Sequence, residues 1–224
     1  RTKTGKYFCS IVYEYTEKVP EAASPAPEAT LGLKYSLACF CTADNGERSS
    51  PPRWLKRSRE KLAKLQKRLS RMEPGSRNYE EAAQKYRLLH EHIANQRRDF
   101  LHKESSRIAN GWNAVCVRND DLREMARELR LASVPDAGFG MFREMLRYKL
   151  ARQGKALIEV GRYAPTTRTC SACGMVRDAV PHKAKTWTCP KCGAVHDREI
   201  NAAKNIKAQG LAQYFDRQKL RESA

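Results

Sequence analysis

Apolar positions change period along the chain, and the period names the elements. Residues 6–15 (KYFCSIVYEY) crowd aromatic and β-branched side chains together and predict a strand. Residues 18–29 (KVPEAASPAPEA) are rich in Pro and Ala and predict a linker. Residues 31–43 are strand-like again and run into Asp44-Asn45-Gly46, a tight-turn signal because Asn and Gly accept positive φ. Then the period lengthens. Leu55, Leu62, Leu65, Leu69 and Met72 recur at spacings of 7, 3, 4 and 3, a helical seam. Pro74-Gly75-Ser76 breaks it. A second seam follows in a helix over 79–108, made by Tyr79, Ala82, Tyr86, Leu89, Ile93 and Phe100. The two seams can bury against each other as an antiparallel hairpin. Short apolar strands are expected at 114–117 and 156–160, around a helix at 141–151 carrying Phe142, Met145, Leu146 and Leu150. A last helix is expected at 200–213. Strand, helix, strand in this order predicts an α/β core. No internal repeat is visible.

Cysteine placement adds chemistry to this outline. Of eight cysteines, four form two C-x-x-C pairs, Cys170 with Cys173 and Cys189 with Cys192. Each short turn sets two sulfurs on one side of a tetrahedral ion, at about 2.3 Å from it, so the pattern predicts a four-thiolate Zn²⁺ site. With all four positions taken by cysteine, no site is left for catalytic water, and the zinc is structural. His182 and His196 lie beside the ligands and are read as structural. Cys9, Cys39, Cys41 and Cys116 sit in apolar segments and are expected to be buried free thiols of a reducing cytosol.

The charge changes the picture again. Lys and Arg number 43 against 25 Asp and Glu, a net charge of +18. A chain this basic suits phosphate, hence nucleic acid. No apolar run reaches the length of a membrane span, and no membrane partner is expected. The first hairpin helix concentrates the charge: Arg53, Lys56, Arg57, Arg59, Lys61, Lys64, Lys67, Arg68 and Arg71 surround the single acid Glu60. The second adds Arg97, Arg98, Lys103 and Arg107. A charge run can be a solvated face alone, but here the sign is uniform and the whole chain is basic. Phosphate contacts are therefore expected at Arg53, Lys56, Arg57, Lys64, Lys67, Arg68, Arg71, Arg97 and Arg98.

Several stretches, in order, resemble one family: PRWLKRSREKLAKLQKRLSR, HEHIANQRRDFLHK, CSACG, TWTCPKCG and HDREINAAKNI. They are similar to TnpB, the transposon-encoded, RNA-guided DNA endonucleases related to type V CRISPR effectors. The resemblance implies an α/β, RNase H-like (RuvC) domain with a helical hairpin insertion and a C-terminal four-cysteine zinc ribbon. It implies that residues 1–17 end an oligonucleotide-binding barrel, with the rest of that barrel and a recognition lobe upstream of Arg1. It further implies a linker at 18–29, a RuvC-like domain at 30–163 with the hairpin at 52–109, the zinc ribbon at 164–198, and the last RuvC helix and tail at 199–224.

In this family three carboxylates hold two Mg²⁺ ions that activate water and stabilise the leaving oxygen. Aligning Glu28-Ala-Thr-Leu-Gly-Leu-Lys-Tyr35 on the G-x-D-x-G-L-K-Y pattern places Thr30 at the first carboxylate. VCVRNDDL places Arg118 at the second, and His196-Asp197-Arg198-Glu199 places Glu199 at the third. A hydroxyl and a guanidinium cannot replace two acids around divalent ions, so the resemblance implies a nuclease-dead member and argues against bound Mg²⁺. The expected partners are a guide RNA and a double-stranded DNA target, in a cytoplasmic, nucleoid-associated setting. Two rivals stand beside this reading. One is an active Mg²⁺-dependent endonuclease with a displaced triad of Glu28, Asp120 and Glu199. The other is a zinc-ribbon DNA-binding protein without a guide, or a transposon remnant.

Overall fold

The computed structural model describes residues 1–16, 18, 20–21, 24–36, 39–50, 54–120, 138–180 and 184–222. The chain divides into two compact units: Arg1–Lys18 with Pro52–Leu101, and Val19–Pro51 with His102–Ala224.

In the first unit, helix α1 (Trp54–Leu69) and the opening three-quarters of α2 (Arg77–Gly111) form the hairpin that the two seams predict. Leu62 and Ile93 are buried against each other, with Tyr86, Leu89 and Phe100 around them. Met72 lies beyond the end of α1, where backbone N–H groups of Arg71 and Met72 close a final tight turn onto Arg68 and Leu69. The strand expected at 6–15 is not formed among the described residues. A strand exists by pairing, and no described residue pairs with this segment; Tyr7, Phe8, Ile11, Val12 and Tyr13 are exposed instead. Cys9, expected to be buried, is exposed for the same reason. Among the contacts that hold this segment on α2, Gln84 Nε2 donates to the Thr4 carbonyl at 2.8 Å, and Lys6 Nζ meets Glu91 Oε1 at 2.5 Å.

The second unit is built on a five-stranded sheet of order β3-β2-β1-β4-β5. Its strands are β1 (Thr30–Tyr35), β2 (Cys41–Ala43), β3 (Arg48–Ser49), β4 (Ala114–Arg118) and β5 (Ala156–Val160). The run at 31–43 is therefore two strands rather than one. β2 turns back antiparallel on β1, with Leu33 opposite Ala43 and Tyr35 opposite Cys41. β1, β4 and β5 run parallel. Between β4 and β5 lies α3 (Phe139–Arg152); after the cysteine-rich segment comes α4 (Arg198–Glu222), longer at both ends than the expected 200–213.

Alternation along β1 assigns the two faces. Leu31, Leu33 and Tyr35 point to the α3 side, where the Tyr35 and Phe139 rings stack at 5.0 Å and Phe40 meets Phe142 edge-on at 4.8 Å. Thr30, Gly32 and Lys34 point to the α4 side. There α4 lies so close to the sheet that a Cβ on Gly32 would come within 2.3 Å of the Ala203 carbonyl oxygen. A Cβ on Gly210 would come within 2.6 Å of Cys116 Sγ. Ala114, Cys116, Ile158, Val160 and Ile206 form the core of this face. Burial pushes the Cys41 and Cys116 thiols up to about 12, so these two remain protonated, as the sequence suggests.

The last turns of α2 belong to this unit. Lys149 Nζ from α3 donates to the His102 carbonyl at 2.7 Å and to the Ser105 and Ser106 hydroxyls at 2.8 Å. Lys155 Nζ donates to the Ala109 carbonyl at 2.6 Å.

Candidate functional site

Three places carry the chemistry anticipated from the sequence: a cysteine cluster, one end of the five-stranded sheet, and the exposed face of the hairpin.

The cysteine cluster is assembled by two similar turns. The Gly174 N–H donates to the Cys170 carbonyl and the Gly193 N–H to the Cys189 carbonyl, each at 2.9 Å. Both glycines adopt positive φ (73° and 71°), which brings the second cysteine of each pair round beside the first. A two-stranded ribbon, β6 (Thr186–Thr188) and β7 (Val195–Asp197), supports the second turn. The four sulfurs all lie within 4.8 Å of one another. Cys170 and Cys192 are 3.7 Å apart, as are Cys173 and Cys189. Sulfurs at about 2.3 Å from a tetrahedral ion would be ~3.8 Å apart, so the cluster fits a metal ion held by four thiolates. Backbone N–H groups of Cys192 and Lys191 hold the Cys189 thiol down at about 6 despite its burial. At Cys192 the Ala194 N–H pulls the same way, but hydrogen bonds from the other sulfurs outweigh it and push the thiol up to about 12.

His196 is not a fifth arm of equal rank. Its Nε2 lies 3.0 Å from Cys170 Sγ, and its ring packs 4.7 Å from buried Trp187. This is the structural role expected of it. His182 lies outside the described residues.

Two asparagines that were not singled out in the sequence fasten this module to the sheet unit. Asn201 accepts the Ser171 N–H at 2.9 Å and donates to the Thr169 carbonyl at 2.8 Å. Asn205, one turn on, donates to the Thr166 and Thr169 carbonyls at 2.8 and 2.7 Å. Their i, i+4 spacing on the helix was the available signal.

At the end of the sheet, register decides which side chains meet. Thr30 pairs with Ala114 and Leu33 with Val117. Lys34 therefore comes abreast of Arg118, and Thr30 is four residues away, ~13 Å along the strand. Thr30 is fully buried and donates its hydroxyl to the Ala26 carbonyl at 2.7 Å. The structure thus does not bring Thr30 together with Arg118 and Glu199. Lys34 instead lies beside Arg118 and within electrostatic reach of Glu199. Glu28 is exposed and lies two residues beyond Thr30, away from Asp120 and Glu199, so the displaced trio is not assembled either.

Around Lys34 the charges are mixed. Arg118 Nε donates to Asp120 Oδ1 at 2.6 Å, and both side chains are largely buried. A weaker contact joins Arg118 to the Thr166 hydroxyl at 3.4 Å. Lys34 Nζ donates to the Tyr35 carbonyl at 3.0 Å. Burial lowers the Lys34 pKa and Arg118 lowers it further; Asp120 and Glu199 pull upward without offsetting this, and Arg198 adds to the decrease. Asp197 stands apart as the cap of α4. Its Oδ1 accepts the N–H groups of Glu199 and Ile200 at 3.0 Å, and Arg48 meets its Oδ2 at 2.7 Å.

On the hairpin, Arg57, Lys64, Lys67, Arg68, Arg71 and Arg98 are exposed, as phosphate contact requires, and Arg97 is half-buried. Arg53 lies outside the described residues, and of Lys56 the helical backbone alone is described. Arg107 is committed elsewhere: it pairs with Glu104 at 2.8 Å and with Glu47 at 3.2 Å. Among the described residues no helix is long and apolar enough to cross a membrane.

Comparison with known proteins gives this arrangement its relatives. Residues 10–128 match the family model OrfB_IS605, "Probable transposase", and residues 139–206 match the "Cas12f1-like, TNB domain". A "Putative RNA-guided DNA endonuclease" of Streptomyces pristinaespiralis is 37% identical over 213 residues, which are 95% of this chain and 52% of that protein. The "Putative RNA-guided DNA endonuclease InsQ" of Escherichia coli K12 is 29% identical over 93% of this chain and 55% of its own length. The chain thus spans about half the length of these two relatives. Its fold is similar to a chain of a Cas12f1–sgRNA–target DNA complex, with a TM-score of 0.57 at 19% identity over 83% of this chain and 51% of that one. A CRISPR-Cas12f ternary complex gives 0.58 at 19% identity over 88% and 41%. The mixed α/β sheet, the four-cysteine cluster and these matches agree: the chain belongs to the TnpB family.

Proposed function

We propose that this chain takes part in holding a guide RNA and its DNA target without cutting the DNA. The observation that carries the reading is the register of β1 on β4, in which Leu33 pairs with Val117 and Lys34 comes abreast of Arg118. On this reading the sheet with α4 across it is a RuvC-type, RNase H-like domain. Gly32 is the first glycine of the G-x-D motif, which its contact with Ala203 supports, so Lys34 rather than Thr30 stands at the first carboxylate position. Arg118 and Glu199 stand at the second and third. A guanidinium and an amine in place of two acids leave Glu199 and Asp120 without the carboxylate set that divalent ions need, so Mg²⁺ is not expected to bind here.

The four cysteines are assigned a structural Zn²⁺, in a zinc ribbon over 164–198; the ion would hold the two knuckles together beside α4. The exposed cations of α1, with Arg97 and Arg98, are assigned to phosphates of the guide–target duplex. In such systems base pairing reads the sequence while the protein holds the heteroduplex by backbone and shape. The names of the relatives support guided binding as the inherited role. Residues 1–17 are assigned to the end of an oligonucleotide-binding barrel.

The test is a cleavage and binding assay with guide RNA, target DNA and Mg²⁺ or Mn²⁺. Retained binding with no nicking is expected, and metal-dependent nicking by the unaltered chain would overturn the reading. Lys34→Asp, Arg118→Glu and Glu199→Asp together are expected to restore metal binding at this place.

A further inference from the structure

We propose that the end of the sheet where Lys34 and Arg118 meet binds a phosphodiester of a single nucleic-acid strand directly, and that Tyr163 stacks an adjoining base. This rests on the reading of that place as a former nuclease centre, but it assigns the place a ligand rather than a loss.

The geometry supports it from three sides. Lys34 and Arg118 sit abreast on parallel strands and share the α4 face, so the spacing of their charges is fixed by the sheet and not by flexible stems alone. Strands lie about 4.8 Å apart, a distance two cations can bridge through one phosphate. The second side is balance. Lys34 lies within electrostatic reach of Arg118 and Arg198 on one side of the balance and of Asp120 and Glu199 on the other. Arg118 and Asp120 already satisfy each other in part. Burial and Arg118 both weigh against a charged Lys34, and a phosphate seated beside the two side chains would favour the charged form.

The third side separates a nucleic-acid strand from a free anion. Arg118 pairs with Val160 at the end of β5, and the Asn119 N–H donates to the Val160 carbonyl at 2.9 Å. Three residues beyond Val160, Tyr163 is 84% exposed, with the Arg162 guanidinium 4.6 Å from its ring centre. An exposed aromatic ring backed by a guanidinium, a few residues past the strand end that pairs with Arg118, is suited to stacking bases of single strands.

The experiment titrates the 224-residue chain with a fluorescent oligothymidylate in EDTA across a range of salt. Binding without divalent ions is expected. Lys34→Met and Arg118→Gln should each weaken it roughly tenfold and make the salt slope shallower by about 0.7 for each phosphate no longer neutralised. Arg118→Lys should keep the slope. Tyr163→Ala should weaken binding severalfold and leave the slope unchanged. Inorganic phosphate should compete no better than chloride at equal ionic strength; specific competition by phosphate would mean a free-anion site and would overturn the assignment to a strand. Unchanged affinity and slope in folded Lys34→Met and Arg118→Gln would also overturn it, while the guided-binding reading would survive. Mg²⁺-dependent nicking would instead remove that reading itself. If the variants do not fold, acetylation of Lys34 in the unaltered chain decides. Protection by the oligonucleotide supports the proposal, and equal labelling with and without it overturns it.

Discussion

Asn201 and Ser171 are joined by one hydrogen bond, in which the carboxamide oxygen of α4 takes the backbone N–H next to the first metal-cluster cysteine at 2.9 Å. The same carboxamide gives its Nδ2 to the Thr169 carbonyl. Asn201 is 1% exposed, so neither backbone group has water as a substitute partner. The position of Cys170 is thereby set from the helix.

Asn201→Ala should leave the N–H of Ser171 unpaired and cost about 1–3 kcal/mol of stability. The more specific outcome concerns the metal: a chelator should strip it faster from the variant than from the unaltered chain. Stopped-flow metal release beside thermal unfolding measures both, and equal release rates would refute the coupling.

Gly32→Ala would drive a methyl group into the Ala203 carbonyl, which lies 2.3 Å from the position of the new Cβ. The obstacle is backbone, so α4 must shift off β1. Overpacking of this kind costs about 1–3 kcal/mol, and the Tm should fall accordingly. Gly75, where nothing lies within 4 Å but φ is 85°, provides the contrast: Gly75→Ala tests backbone strain without a clash.

Leu62→Ala removes the buried side chain that α1 sets against Ile93. A loss of about 2–5 kcal/mol is expected, confined to the first unit. Hydrogen exchange should show faster exchange in α1 and the start of α2, with β1, β4 and β5 unaffected; uniform acceleration would mean that the two units unfold as one.

Asp197 gives a pH signature. Burial alone would raise its pKa, but the Ile200 N–H, Arg48 and the Glu199 N–H outweigh it and hold the carboxyl below its usual range. A depressed folded-state pKa stabilises the fold above the unfolded value and is lost as pH falls through the folded one. Stability should therefore decline from about pH 4 downward. Asp197→Asn keeps a capping oxygen but no charge, so it should flatten that part of the profile. Thermal unfolding of both proteins across the acid range supplies the comparison.

The hairpin and α3 were legible because each repeats an apolar period over several turns, and β4 and β5 because each is a short, largely apolar run. The two C-x-x-C pairs were legible because four identical ligands at short spacing have few other uses. β3, β6 and β7 span only two or three residues, too few to establish alternation. The run at 6–15 has the composition of a strand, but composition says nothing about whether a partner is at hand. The hardest position was the first carboxylate slot. Two short patterns overlap on Gly32, and sequence alone let that glycine serve as the second of the motif. The close approach of Ala203 and the pairing of Leu33 with Val117 make it the first, which moves the slot from Thr30 to Lys34 on the reading proposed above. Lysine gave no hint of such a role, because no pattern built on aspartate anticipates its opposite charge.

Gly210 and Cys116 divide a single small volume between a helix and a strand. Neither can grow while the other stays as it is. Across homologous chains, then, bulk at one of these sites should be traded against bulk at the other, so that a glycine accompanies a cysteine or larger residue while an alanine on the helix accompanies something smaller on the strand. The interlock makes distant stretches of sequence evolve as a pair.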